Sequence, residues 1–161
     1  MGLDPGTATT GFGVVEGELD TLRLVEYGAI ITPATLPMPE RLGLIYSKLG
    51  ALLARNGVDA ISVEKLFFNR NVTTALSVGQ ARGVALLAAY QAHVEIFEYT
   101  PLEVKQALIG YGRASKDQIQ QMVRMILKLD HIPHPDDAAD ALANAICHVQ
   151  SARMREVMRH S

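Results

Sequence analysis

Apolar residues first alternate along this chain and then fall into helical spacing, and the change of period marks out its elements. Gly13-Val14-Val15 and then Leu22, Leu24, Ile30 and Ile31, with Gly17 and Asp20 between them, predict two strands over 11–18 and 21–32 joined by a turn. A proline-rich loop from Pro33 to Pro39 ends the second strand. Leu42, Ile45, Leu49, Leu52 and Leu53 then recur on one helical face, and Asn56-Gly57 is a stop signal. Asp59 to Glu64 predicts a short buried strand. Asn71 is placed to cap a long helix reaching Ala89, and His93 to Tyr99 predicts a further strand with Val94 and Ile96 inside. Thr100 and Pro101 open a helix to Ile109. Gly110-Tyr111-Gly112-Arg113 breaks it, and Ser115 with Gln118 forms a capping box ahead of Ile119, Met122, Ile126 and Leu129. After a loop from His131 to Pro135, a last helix starts at Asp136.

Met1 to Asp4 completes the series as a first strand, short against a usual length of about 5–6 residues. A hairpin followed by strand–helix–strand crossovers predicts an α/β protein with a five-stranded mixed sheet flanked by helices, the ribonuclease-H-like arrangement. A chain of 161 residues fits one domain, expected over 1–150, with a basic C-terminal tail over 151–161 that carries Arg153, Arg155 and Arg159. The single cysteine, Cys147, excludes an internal disulfide and fits a reducing compartment. With no leader pattern and no apolar run of membrane-spanning length, a cytoplasmic location is expected.

The net charge of −2 conceals an uneven distribution. Residues 1–64 carry four Lys/Arg against eight Asp/Glu, residues 65–128 eight against four, and residues 129–161 three against five. That pattern suits a positive surface around an acidic pocket, or simply a set of solvated helix faces.

The acidic pocket has four candidate members. Asp4 and Glu64 end apolar strands, while Asp137 and Asp140 stand among Ala138, Ala139, Ala141 and Leu142. Buried carboxylates are costly unless paired, hydrogen-bonded or bound to metal, and the nearest basic neighbour, Lys65, serves only one of them. If the strands ending in Asp4 and Glu64 are parallel neighbours, both side chains emerge at the edge where α/β ligand sites form. Asp137 and Asp140 share a helix face, which Asn144 and His148 continue, and the small Ala138 and Ala139 let that helix approach the sheet. Oxygen donors without a Cys/His cluster suit Mg²⁺ or Mn²⁺, and such a set can hold two ions about 3.5–4 Å apart for phosphodiester hydrolysis. Plainer readings exist for each acid alone. Asp136, Asp137 and Asp140 can complement a helix N-terminus, and Asp4-Pro5-Gly6 can be a turn initiator. Glu64 has no such structural excuse.

Phe67 and Phe68 cannot both face inward from an extended segment, and between Lys65 and Arg70 an exposed ring suits base stacking. Lys105, Arg113 and Lys116 flank the glycine break and are placed as phosphate contacts. His131 and His134 lie in a proline-rich loop and are not read as ligands.

Several of these stretches together resemble the RuvC family of bacterial Holliday junction resolvases: Gly2-Leu3-Asp4-Pro5-Gly6 with Thr10-Gly11, Val63-Glu64-Lys65-Leu66-Phe67, Gly79-Gln80-Ala81-Arg82-Gly83-Val84, Val104-Lys105-Gln106 and Asp137-Ala138-Ala139-Asp140-Ala141-Leu142. They run in family order to about residue 150. The resemblance implies a Mg²⁺-dependent homodimeric nuclease acting on four-way DNA junctions, with Mn²⁺ expected to substitute. It places Asp4, Glu64, Asp137 and Asp140 on the catalytic carboxylates, Phe67 on an aromatic that stacks on an unpaired base, and Lys105 and Lys116 on DNA-contacting lysines. It also implies a dimer interface near Gly79 to Val84 and a branch-migration complex of the RuvA and RuvB type as partner. The expected reaction is paired, symmetric cutting that leaves 5′-phosphate and 3′-hydroxyl ends. Two rivals remain. A sugar-kinase or actin-like phosphotransferase is suggested by Asp4-x-Gly6-Thr7, but it needs a second domain and a second glycine-rich loop. A non-catalytic DNA-binding module leaves the four acids without work.

Overall fold

The computed structural model describes residues 1–65 and 72–159, and of residues 72, 73 and 155–159 the backbone only. Five strands, β1 (Gly2–Asp4), β2 (Thr9–Glu16), β3 (Arg23–Ile31), β4 (Ala60–Glu64) and β5 (Glu95–Tyr99), form one sheet in the order β3-β2-β1-β4-β5. β1 pairs antiparallel with β2 and parallel with β4, and β4 is parallel to β5. The helices are α1 (Met38–Asn56), α2 (Val72–Gln91), α3 (Pro101–Ile109), α4 (Lys116–Ile126) and α5 (Asp136–Arg159).

Period-two alternation divides the sheet into two faces. Leu3, Phe12, Val14, Ile30 and Ile61 pack with Ile45, Leu49, Leu52 and Leu53 of α1 and Ala81, Ala85, Ala88 and Ala89 of α2. Each fully buried Leu or Ile there contributes about 1.5–3 kcal/mol. On the other face Leu22 and Tyr99 meet Val104 and Leu108 of α3, Ile119 and Val123 of α4, and Leu142 and Ile146 of α5. Gly2 and Asp4 flank Leu3 and therefore point toward α5. The same parity sends Glu64, one residue beyond the Leu3–Val63 pair, to the α5 side.

β1 is three residues long yet central. It holds because both its edges are paired and Met1 continues the ladder, donating from its amine to Ala60 O (2.8 Å) and accepting from Ser62 N–H (2.8 Å). Other boundaries moved from those expected. The hairpin strands are 9–16 and 23–31, with a register shift between Val14 and Val15 and a 3-10 turn, Leu19–Thr21, in the connection. Gly57 caps α1 in the left-handed region (φ 56°), as its stop signal implied. β5 begins at Glu95, two residues after His93 (φ 57°), and Ile96 is 36% exposed on this edge strand rather than inside. α4 ends at Ile126, short of Leu129, and α5 runs unbroken from Asp136 through 151 to Arg159. Among the described residues no helix is long and apolar enough to cross a membrane.

Candidate active site

Asp4 leaves the end of β1 into a tight turn in which the Thr10 hydroxyl donates to Gly6 O at 2.7 Å. Glu64 leaves the end of β4 beside it. Its peptide carbonyl accepts from Arg82 Nη1 at 2.6 Å, and Lys65 N–H donates to Tyr99 O at 2.7 Å, so the strand end is held on two sides. The third component comes from α5, which lies almost in contact with the sheet backbone. A Cβ on Gly11 would stand 2.0 Å from Asp137 O, one on Gly2 1.8 Å from Ala141 O, and one on Gly13 2.5 Å from Leu142 Cδ2. Gly2 and Gly13 face each other across β1 and β2, and Asp4 faces Gly11. A side-chain-free patch of sheet thus receives Ala138, Ala141 and Ala145 of the helix, all buried. Asn144, buried on the same helix, donates from Nδ2 to Leu3 O at 2.9 Å and fixes its rotation.

These elements enclose a cleft of about 230 Å³ lined by Asp4, Glu64 and Asp140, by Lys105 and Lys116, and by Asn144. Burial raises the Asp4 carboxyl to a pKa of about 7, and the charges of Asp140, Asp137 and Glu64 add to the rise while Lys116 opposes it. Glu64 is open to solvent on one side. The protein around its inner side still pushes its pKa up, with Asp140 adding and Lys105 opposing. Asp140 is raised by burial too, against the pull of Lys116. Lys116, the first residue of α4 after the Ser115 cap, bridges Asp136 Oδ2 (3.1 Å) and Asp140 Oδ2 (3.2 Å). Gln120 Nε2 donates to the other oxygen of Asp136 at 3.1 Å. The cleft is therefore a concentration of carboxylates that resist ionising together, with two lysines as its counter-charges.

Asp4, Glu64 and Asp140 come together as expected. Asp137 is half-buried in the first turn of α5 and does not line the cleft, but its charge reaches Asp4 and Asp140. Lys105 and Lys116 border the cleft, and Arg113 is exposed in the loop before α4. Phe67, Phe68 and Arg70 lie outside the described residues. His148 departs from its expected place on the acidic face. Its ring packs 4.3 Å from that of Phe97 and its Nδ1 shares a hydrogen bond with Tyr99 Oη at 2.9 Å, beside a separate groove lined by Gly17, Glu18 and Arg153. Among the described residues no three acidic, histidine or cysteine side chains converge as they stand into a ready-made ligand set. The donor chemistry nonetheless fits a divalent cation taken through oxygen. The cleft has neither His nor Cys among its lining, and its carboxyl groups stay raised in pKa in spite of Lys105 and Lys116. Sequence reasoning missed the glycine patch, the Arg82 anchor and the Asp136–Lys116 bridge. The only local signals were glycines inside strands and an arginine inside an otherwise uncharged helix.

A mixed five-stranded sheet with carboxylates at the ends of two parallel central strands, overlaid by an acid-bearing helix, is a ribonuclease-H-like protein. A family model described as "Crossover junction endodeoxyribonuclease RuvC" matches residues 1–148, and the chain belongs to that family. A crossover junction endodeoxyribonuclease RuvC of Rubrobacter xylanophilus is 60% identical over 154 residues, covering 96% of this chain and 86% of that one. A T. thermophilus RuvC solved in complex with a Holliday junction substrate superposes with TM-score 0.91 at 41% identity, covering 95% and 93% of the two chains. The yeast mitochondrial Holliday junction resolvase Ydc2, at 11% identity and TM-score 0.67 over 99% of this chain and 79% of that one, shares the fold.

Proposed function

We propose that this chain resolves four-way DNA junctions by divalent-metal-dependent phosphodiester hydrolysis in the acidic cleft, cutting two like strands and leaving 5′-phosphate and 3′-hydroxyl ends. The observation that carries the reading is the cleft itself, in which Asp4, Glu64 and Asp140 share one small space and burial, with repulsion from neighbouring carboxylates, raises all three pKa values. Asp4, Glu64, Asp137 and Asp140 are the residues assigned to hold Mg²⁺, as two ions, with Mn²⁺ able to replace it. A bound cation supplies positive charge against that developing on the phosphate and makes water a nucleophile near neutral pH. The chain's own residues do the rest. The strand ends and α5 orient the carboxylates, and Lys116 shields Asp140 until it is needed elsewhere. Freed from Asp140, the same ammonium stands at the cleft edge where a phosphate would lie, and Lys105 and Arg113 extend that positive rim. Phe67, with Arg70, is assigned to an unpaired base at the crossover, where stacking contributes about 1–3 kcal/mol.

Paired cuts in a two-fold junction call for a two-fold enzyme, so the reading includes a homodimer. The outer stripe of α2 supports it: Leu76, Leu87 and Tyr90 are exposed, and among the described residues nothing lies within 4 Å of a Cβ added at Gly79 or Gly83. A branch-migration complex of the RuvA and RuvB type is the expected partner, and the cytoplasm the expected site of action. A labelled four-way junction on a denaturing gel tests the reading. Symmetric nicks should appear with Mg²⁺ and vanish in excess EDTA, and Asp4→Asn, Glu64→Gln, Asp137→Asn and Asp140→Asn should each bind the junction without cutting it. Undiminished cutting in EDTA would remove the metal from the mechanism.

A further inference from the structure

Arg82 is an unusual residue for its place. It sits in α2 between Ala81, fully buried, and Gly83, and its own side chain is only 12% exposed. A charge so enclosed persists only when paired. Its guanidinium spends its two arms on different elements: Nη1 donates to the backbone carbonyl of Glu64 at 2.6 Å, and Nη2 meets Glu98 Oε1 of β5 at 2.8 Å. Glu98 lies opposite Val63 in the β4–β5 ladder, so both arms close on the same short stretch of sheet edge.

The planar fork matters here. Charge-assisted hydrogen bonds are short and directional, and the two arms of one rigid group fix a plane rather than a point. The peptide held in that plane is the one that follows Glu64, and its orientation sets the direction in which the Glu64 side chain leaves the strand. Arg82 meets Glu64 through its backbone carbonyl. Arg82 approaches from the α2 side of the sheet, and Glu64 faces the cleft on the other.

We propose that Arg82 is a positioning residue for the cleft, acting through the Glu64 peptide and with Glu98 as its counter-anchor to aim the Glu64 carboxylate at the position a divalent cation takes. The proposal rests on the reading of Glu64 as a cation-holding residue. Misplacing a reacting group by about 1 Å can cost roughly 100-fold in rate, and that loss should appear in cation affinity as well as in cutting.

The test uses the full chain, Arg82→Gln, Arg82→Lys and Glu98→Gln, with Glu64→Gln as control. Four quantities are measured: Mn²⁺ affinity without DNA by electron paramagnetic resonance, junction affinity in EDTA, single-turnover cutting at saturating junction, and thermal midpoint. Arg82→Gln should bind Mn²⁺ about tenfold more weakly and cut roughly 10- to 100-fold more slowly, with junction affinity within about twofold of wild type. Arg82→Lys keeps the charge but not the fork and should fall between, as should Glu98→Gln, which leaves the bond to Glu64 but removes its counter-anchor. A merely structural staple would move thermal midpoint, junction binding and cutting together, and that pattern overturns the proposal. So does wild-type Mn²⁺ affinity in Arg82→Gln. Should Arg82→Gln not fold, Glu98→Gln decides, and wild-type Mn²⁺ affinity and cutting in it overturn the proposal. Wild-type cutting by Glu64→Gln would instead sink the reading of Glu64. Loss of cutting there with normal Mn²⁺ affinity and cutting in Arg82→Gln sinks only the positioning role.

Discussion

At the scale of single residues, the cleft is a place where burial holds carboxyl groups back from ionising. Asp4 shows this best, because burial comes first among the causes that lift it to about 7 and the other carboxylates only add to it. Its folded pKa lies above the unfolded value, so the native state holds a proton there between about pH 4 and 7 that the unfolded chain has released. Stability from this group is therefore greatest at low pH and falls as pH rises through the folded pKa. In EDTA, the thermal midpoint of the wild type should decline between pH 5 and pH 8, and Asp4→Asn should flatten that decline. Divalent cation should restore the wild type at pH 8 and do less for Asp4→Asn, which scanning calorimetry at the two pH values would show. A wild-type midpoint that climbs over this interval as Asp4→Asn stays level would mean that Asp4 is not the strained group.

Among the elements, α5 decides where the acids stand, and glycine decides where α5 stands. Gly11→Ala would drive a Cβ into the Asp137 carbonyl, which is helix backbone and cannot swing aside. Overpacking of this kind costs about 1–3 kcal/mol. At about 2–4 °C per kcal/mol for a chain of this size, the midpoint should drop by roughly 2–12 °C. Cutting should fall further than stability alone explains, because the displaced turn carries Asp137 and Asp140. Gly43→Ala provides the opposite sign. Gly43 is exposed in the interior of α1 with nothing among the described residues within 4 Å of the added methyl, so alanine should stabilise by about 0.5–1 kcal/mol. Equal midpoints for the two variants would show that the close approach of helix to sheet is not structural.

For the whole molecule, the telling surface is the outer face of α2. Gly79 and Gly83 lower helix propensity by about 1 kcal/mol each relative to alanine, and nothing among the described residues crowds them. In the proposed homodimer their use would lie outside the monomer, beside the exposed Leu76, Leu87 and Tyr90. Gly83→Leu should leave the fold intact, since the space is open, yet convert a dimer into a monomer by analytical ultracentrifugation. Paired cutting of a junction should be lost with it. A Gly83→Leu protein that still sediments as a dimer would move the interface elsewhere.

Local chemistry made part of this protein legible in its sequence. The change from period two to helical spacing, the Thr100 cap, the Ser115 capping box, the Gly57 stop and the strand-end positions of Asp4 and Glu64 depend on neighbours a few residues away, and all are found in the structure. The hairpin ends shifted because a register irregularity at Val14/Val15 and a 3-10 turn are settled by the strand partner. His148 shares a helical face with Asp140 and Asn144, but a face is an angle and not a height. At 1.5 Å per residue it stands about 6 Å farther along the axis than Asn144, where Phe97 and Tyr99 of β5 receive it in place of the cleft. Gly11 under Asp137, Arg82 behind Glu64 and Lys116 across Asp140 join residues far apart in the chain. The sequence by itself determined which residues could be acidic, small or charged at those places. Only tertiary packing decided which of them touch, because the contacts that set the cleft run between elements whose spacing no local pattern encodes.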